Sequence, residues 1–394
     1  MKTIRIGEAF DIYDGPHASP TKTSEGPVYL GIDAISPDGR IISSELAHLS
    51  EEDYRKWCKR VTPRFGDMVF SYEATLGRYA LIPQNFKCCL GRRLALIRPK
   101  NDLVDIRWLY YYFFSKEWSA YIKNHTVVGS TVNRISVEDF PAFEIPLYPK
   151  EEQKRMVSFL EKIDNRISNN QLINDNLHQI GRTLFDQLFL GSNAEKRNSS
   201  LSEFISFVST GLNPRKNFKL KTEGIKYLTV KNLTANGSLD FSNCDFIDEK
   251  ARQLIHKRSC VQRGDILFAS ISPLGRCYAI MEEPRDWEIN ESVFNIRPKC
   301  PEYQLFLYYL FISDFFVKTA EHNSSGSVFN GIRISTLLDM KIARPGNERL
   351  TEFNRIVIPL MKMINLVDAE NQRLSEVRRN FLPLLMNGQI VLGD

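Results

Sequence analysis

Gly66-Asp67-Met68-Val69-Phe70-Ser71, with Leu76-Gly77-Arg78 just behind it, decides the architecture, because the chain writes it a second time. The second copy is Gly264-Asp265-Ile266-Leu267-Phe268-Ala269, followed by Leu274-Gly275-Arg276. Both landmarks are displaced by 198 residues (264 − 66 and 275 − 77), half of the 394-residue chain to within one residue. Other pairs keep this offset within a residue or two. Tyr29-Leu30 matches Tyr227-Leu228, and the turn Asp38-Gly39 matches Asn236-Gly237. Leu49-Ser50-Glu51 matches Ile247-Asp248-Glu249, and Tyr110-Tyr111 matches Tyr308-Tyr309. Gly129-Ser130 with Asn133 matches Gly326-Ser327 with Asn330. So many ordered matches at one spacing mean an internal duplication.

Each copy reads as a mixed module. Asp67–Tyr72 and Leu94–Arg98 are short apolar runs bounded by Gly or Pro, the pattern of strands. Ser50-Glu51-Glu52-Asp53 supplies an N-cap hydroxyl and early acids for a short helix running on through Tyr54. Trp108–Tyr121 is long and rich in aromatic residues and predicts one buried helix, used for core packing rather than base stacking. Gly-Asp ahead of an apolar strand predicts turn chemistry for Asp67 and Asp265, each carboxylate bonding nearby backbone.

Behind each module comes a far longer helical pattern. From about Lys150 to Phe189, apolar and small residues recur in alternating steps of four and three: Met156, Leu160, Ile163, Ile167, Asn170, Asn174, Leu177, Gly181, Leu184 and Leu188. From about Arg349 to Met386 the same steps run through Phe353, Val357, Leu360, Ile364, Val367, Asn371, Leu374, Arg378, Phe381 and Leu385. These are heptad seams. About 40 residues at 1.5 Å each make a rod of roughly 60 Å. Two seams in one chain with a globular module between them predict antiparallel packing on each other. Asn170, Asn174 and Asn371 are polar interruptions of the kind that fix register. Pro359 predicts a kink or a break. The fold expected is therefore α+β: two tandem mixed modules with pseudo-twofold symmetry, separated by two long antiparallel coiled-coil helices. The expected boundaries are 1–149, helix 150–190, linker 191–200, 201–346 and helix 347–394.

Composition narrows the function. An apolar share of 43% and a charged share of 25% are those of an ordinary globular protein. No run approaches the roughly 20 apolar residues of a membrane span. The opening Met1–Gly7 lacks the apolar stretch of a signal peptide, so a soluble cytoplasmic protein is expected. Seven cysteines include no C-x-x-C pair and read as reduced thiols, and the six histidines show no metal-ligand spacing. A net charge of +5 permits nucleic-acid binding without demanding it. Motifs for nucleotide phosphates, for a nucleophile elbow and for amino-methyl transfer are missing. Glu152-Gln153-Lys154 spells a nuclease-like E-x-K, but at a helix start and without a counterpart in the second copy.

The assembled residues resemble the specificity subunits of type I restriction–modification systems. Gly129-Ser130-Thr131-Val132-Asn133-Arg134-Ile135-Ser136, then Ile145-Pro146-Leu147-Tyr148-Pro149, Glu152-Gln153 and a long helix, carry the likeness most visibly. Gly15-Pro16-His17-Ala18-Ser19-Pro20 with Gly26-Pro27-Val28-Tyr29-Leu30 resembles the start of a target-recognition domain. So does Thr210-Gly211-Leu212-Asn213-Pro214-Arg215 with Gly224-Ile225-Lys226-Tyr227-Leu228. The second copy departs from the pattern at Ala343-Arg344-Pro345-Gly346 and at Glu348-Arg349.

The resemblance implies that each module reads one half of a split double-stranded DNA site, and that the helices set the gap and dock two methylase subunits. Restriction subunits join through the complex. The chain itself would hold no cofactor and no metal, do no catalysis and touch no membrane. Rival readings are a methyltransferase or nuclease with unseen motifs, and a coiled-coil scaffold that never meets DNA. Polar and basic loop residues are the expected DNA contacts. In the first module these are Thr21 and Lys22, then Tyr72, Thr75 and Arg78, then Ser130, Thr131, Asn133 and Arg134. In the second they are Arg215 and Lys216, then Ser270, Ser272 and Arg276, then Ser327, Asn330 and Arg333. No catalytic residue is assigned.

Overall fold

The computed structural model describes residues 2–127, 132–191, 198–323, 331–390 and 392. The chain divides into two compact units, Met1–Ile167 with Arg373–Asp394, and Ser168–Gln372. Each unit thus combines one module with part of both long helices.

In the first module, the strands Phe10–Asp14, Leu94–Pro99, Met68–Ser71 and Tyr79–Leu81 form an antiparallel sheet in that order. A second sheet places Thr23–Leu30 between Ala47–His48, antiparallel, and Cys88–Leu90, parallel. Thr3–Arg5 and Glu144–Pro146 close the module as an antiparallel pair. The second module repeats this strand for strand. Ile205–Thr210, Val293–Pro298, Ile266–Ala269 and Cys277–Ala279 make one sheet. Asp245–Ile247, Ile225–Leu228 and Trp287–Ile289 make the other, and Ser199–Ser200 pairs with Lys341–Ile342. The duplication read from Gly66 and Gly264 is a duplication of topology.

The short helix Glu51–Trp57 starts as expected, with Ser50 Oγ accepting from Asp53 N at 3.1 Å. The aromatic stretch is corrected. It is two helices, Ile106–Tyr112 and Lys116–His125, because Ser115 Oγ accepts from Trp118 N at 3.1 Å and caps a new start. Its rings are core, with Phe113 stacked on Trp118 at 4.2 Å.

The long helices span Lys150–Phe185, continued by a π turn over Asp186–Leu190, and Asn347–Met386. Pro359 does not break the second one. Its ring lies on an exposed face, where the missing amide costs no buried hydrogen bond. Within the first unit the helices are antiparallel. Phe159 meets Phe381 with ring centroids 5.8 Å apart, and Arg378 Nε lies 2.7 Å from Asp164 Oδ1. Within the second unit they are antiparallel too. Asn170 Nδ2 donates to Asn371 Oδ1 at 2.9 Å, and Arg349 Nη1 donates to Leu188 O at 3.4 Å.

Seam residues Leu160, Ile163, Ile364 and Val367 are buried, and Ile167, Leu177, Leu184, Leu360 and Leu374 are half-buried. Phe381 is 36% exposed, and the next residue, Leu382, takes the inward place. Met361 likewise replaces Leu360 and Phe185 replaces Leu184 as the buried residue. A helix of 3.6 residues per turn drifts off a strict 3.5 repeat, and each helix also packs on a module, so its inward face moves along with that drift. Phe185 and Phe189 join Phe306 and Phe353 in the second core. Leu382, Leu385 and Met386 join the first.

Candidate nucleic-acid interface

The site is built from the repeated Gly-Asp. Asp67 is almost wholly buried and accepts from Arg64 N at 2.9 Å, the expected turn bond. It also holds Arg98 in a two-pronged pair, Nε at 2.8 Å and Nη2 at 2.6 Å. Asp265 repeats both contacts. Gln262 N donates to it at 3.1 Å, and Arg297 Nε and Nη2 donate at 2.7 and 2.9 Å. Sequence reading found the turn and missed the arginine, which lies some thirty residues away on the adjacent strand. This pair fixes two central strands, and their ends present the loops.

Strand register puts those loops at one end of the sheet. Asp14 pairs with Ala95, Ser71 with Leu94, and Phe70 with Tyr79. Thr210 with Phe294, Ala269 with Val293 and Phe268 with Cys277 repeat this. The loops at residues 15–22, 72–78 and 91–93 therefore emerge side by side. The segment around residue 133 is stitched to them, since Ala74 N donates to Asn133 O at 3.1 Å and Ile135 N to Tyr72 O at 2.7 Å. In the second module Ile332 N donates to Ser270 O at 2.9 Å.

Three loop groups expected from sequence thus converge in the first module. Thr21, Lys22, Thr75, Asn133 and Arg134 are exposed there, as are Arg215, Lys216, Ser272 and Arg333 in the second. Arg215 and Lys216 sit on one turn of helix, Pro214–Asn217, capped by Asn213 Oδ1 accepting from Arg215 N. Other expected residues serve the fold. Tyr72 is buried, its phenol is pushed up to about 12 by desolvation, and its hydroxyl lies 3.4 Å from His17 Nδ1. Arg78 Nη1 donates to Ile35 O at 2.7 Å and Arg276 Nη1 to Leu233 O at 3.3 Å, the same brace in both copies. Ser270 is buried and donates to Ser292 O at 2.7 Å. Ser130, Thr131, Ser327 and Asn330 lie outside the described residues.

Residues missed by sequence reading share the cluster. His17 Nε2 pairs with Asp14 Oδ2 at 2.8 Å, and Arg60 Nη1 donates to Gly15 O at 3.1 Å. Arg92 and Arg93 occupy the loop at 91–93, where the doubled arginine between two apolar runs was a visible signal. The E-x-K stretch has structural work. Asp105 N donates to Gln153 Oε1 at 2.7 Å, and Gln153 Nε2 donates to Tyr148 O at 2.9 Å, bolting the helix start to its module. In the second copy Asn354 Nδ2 reaches Glu302 O at 2.8 Å, also just ahead of an aromatic helix. The divergent Arg344 pairs with Glu203 and lies over the Phe204 ring. Among the described residues there is no group of three or more His, Cys, Asp or Glu placed to hold a metal, and no helix long and apolar enough to cross a membrane.

Residues 1–179 match the family model for the type I restriction modification DNA specificity domain. A type I restriction enzyme specificity subunit of Methanocaldococcus jannaschii is 24% identical over 341 residues, covering 82% of this chain and 77% of that protein. One from Escherichia coli is 29% identical over 157 residues, 37% of this chain and 36% of that protein. The crystal structure of a type I restriction–modification S subunit from M. genitalium shares the fold, with a TM-score of 0.57 at 16% identity over 98% of this chain and 95% of that one. Over residues 1–179 the chain thus matches the DNA specificity domain of type I restriction–modification systems, and over most of its length it is similar to a specificity subunit of such a system.

Proposed function

We propose that this chain reads a split, asymmetric site in double-stranded DNA and leaves the chemistry to partner subunits. The observation that carries the reading is the loop cluster at one end of each four-stranded sheet. It occurs twice on the same backbone and carries different exposed side chains in each copy. A repeated scaffold with divergent polar tips suits two half-sites of different sequence. Lys22 and Arg134 in one cluster, and Arg215, Lys216 and Arg333 in the other, supply cations for phosphates or base edges.

The long helices serve as ruler and dock. The first alone is 36 residues, about 54 Å at 1.5 Å per residue. They also leave large apolar side chains exposed, Leu172, Ile173, Ile180, Met363 and Leu366. Exposed apolar surface of this kind marks a protein interface. We assign it to two methylase subunits, with restriction subunits joining through them.

The test is a footprint with purified full-length chain and its methylase on a library of duplexes. Protection of one split motif is expected. No protected motif would sink the reading, and methyl transfer by the chain alone would sink the division of labour.

A further inference from the structure

In the first module the loop Gly91-Arg92-Arg93 enters the cluster with its backbone pinned at every residue. Gly91 N donates to Leu30 O at 2.8 Å, Arg92 N to Tyr29 Oη at 3.0 Å, and Arg93 O accepts from Tyr72 N at 3.1 Å. A Cβ on Gly91 would stand 2.4 Å from Leu30 O, so the two segments are as close as glycine permits. The two arginines are used differently. Arg93 sits at a φ of 72° with Nε 3.1 Å from Glu73 Oε1, and both side chains are partly buried. Arg92 is exposed, and its guanidinium makes no ion pair among the described residues. One cation is neutralised to hold the loop, and its neighbour is held outward.

The second module keeps the backbone and changes the side chains. Asn290 N donates to Leu228 O at 2.8 Å and Ser270 N to Ser292 O at 2.9 Å, the same two bonds. The residues are now Asn290-Glu291-Ser292. Glu291, where Arg92 stands in the first copy, has its Oε1 held by Asn213 Nδ2 at 2.7 Å. At one position of a shared frame, a free cation has become a clasped anion.

We propose that Arg92 is a specificity-determining residue that reads a guanine in the half-site of the first module, a claim that rests on the DNA-reading function above. An arginine presented on a rigid loop can give two parallel N–H donors to guanine O6 and N7 in the major groove. The pinned backbone lowers the ordering cost of that contact. With Glu73 on Arg93, the loop carries a single free guanidinium. The second module cannot make the same contact, because Glu291 has no donors and would repel the acceptor edge of guanine.

The test is bind-and-sequence selection on random duplexes with the full-length chain, alone and with its methylase, for wild type, R92K and R92A. Lysine keeps the charge and loses the fork, so it separates a phosphate contact from a base contact. The wild type is expected to select a split motif with a guanine at one position. Both variants are expected to lose discrimination there by roughly tenfold or more while keeping the other half-site. A motif that R92K leaves intact at every position overturns the assignment of Arg92 alone and leaves DNA reading standing. A wild-type chain that selects no motif in either form overturns both.

Discussion

Replacing Asp368 by asparagine stabilises the second unit at neutral pH, and the gain fades in acid. Asp368 lies on the second long helix, where Asn174 Nδ2 donates to its Oδ1 at 2.7 Å. Burial pushes its carboxyl up from 3.8 to about 6, and the Asn174 bond only partly opposes this. The Oδ1 of Asn174 is buried without a hydrogen-bond partner, and a protonated Asp368 can donate to it. Groups around the site are His178 and Arg182 on the first long helix, with Tyr278 and Tyr308 from the module.

The folded carboxyl titrates above its unfolded value. Its favourable contribution is therefore complete below about pH 3.8 and lost as pH rises through about 6. At about 1.4 kcal/mol per pH unit, the charged form costs up to about 3 kcal/mol by pH 7.5. Asparagine removes that cost and can pair with Asn174 as Asn170 pairs with Asn371 in the same seam. His178 runs the other way. Burial lowers it from 6.5 to about 4, so its contribution is present above 6.5 and lost toward 4. The wild-type profile sums these opposed trends, whereas the difference between D368N and wild type cancels His178. Pulse-labelling hydrogen exchange on peptides from residues 168–190 and 350–372, across urea series at pH 4.5 and 7.5, measures that difference. A difference that does not grow with pH, or a D368N less stable at pH 7.5, refutes the reasoning.

Losing one member of a buried ion pair strands the other. D265A is thus expected to lower the stability of the second unit by about 3 kcal/mol, with D67A doing the same to the first, both read from urea midpoints. A loss below about 1 kcal/mol would show that the strands do not depend on the pair. A Cβ on Gly181 would stand 2.1 Å from the Tyr309 hydroxyl, inside the helix–module contact. Despite alanine's better helix propensity, G181A should lower the melting temperature, and a rise would contradict the close packing. K22A and R134A together should weaken binding and flatten the salt dependence of affinity, by about one released counterion for each phosphate no longer neutralised. Titration at several salt concentrations measures this, and an unchanged slope would remove these side chains from the interface.

Much of the fold was legible because its signals are local or periodic. The Gly-Asp strands, the Ser50 cap and the heptad steps depend on neighbours a few residues apart, and the duplication doubled each of them. Trp108–Tyr121 misled because the aromatic residues on either side outweigh the short polar break Ser115-Lys116-Glu117, which holds the cap of the second helix. Pro359 misled because the harm a proline does depends on which face of the helix it occupies. The candidate interface is legible as loops and obscure as residues. Tyr72, Arg78, Arg276 and Ser270 have the chemistry of DNA contacts, yet nearby carbonyls, a histidine and the core engage them.

Order along the chain alone shows that one module is built twice, that long seamed helices follow each copy, and that its motifs resemble those of DNA-specificity subunits. Repetition and periodicity are properties of order along the chain, so they need no coordinates. Only the tertiary structure decided that Asp67 and Asp265 each grip an arginine on the neighbouring strand, and that the loop at 91–93 joins the others. It also decided that Arg93 is tied down while Arg92 is left outward. Those facts depend on distances between residues far apart in sequence. Burial and pairing at such distances determine whether a polar side chain is spent on the fold or remains free for DNA.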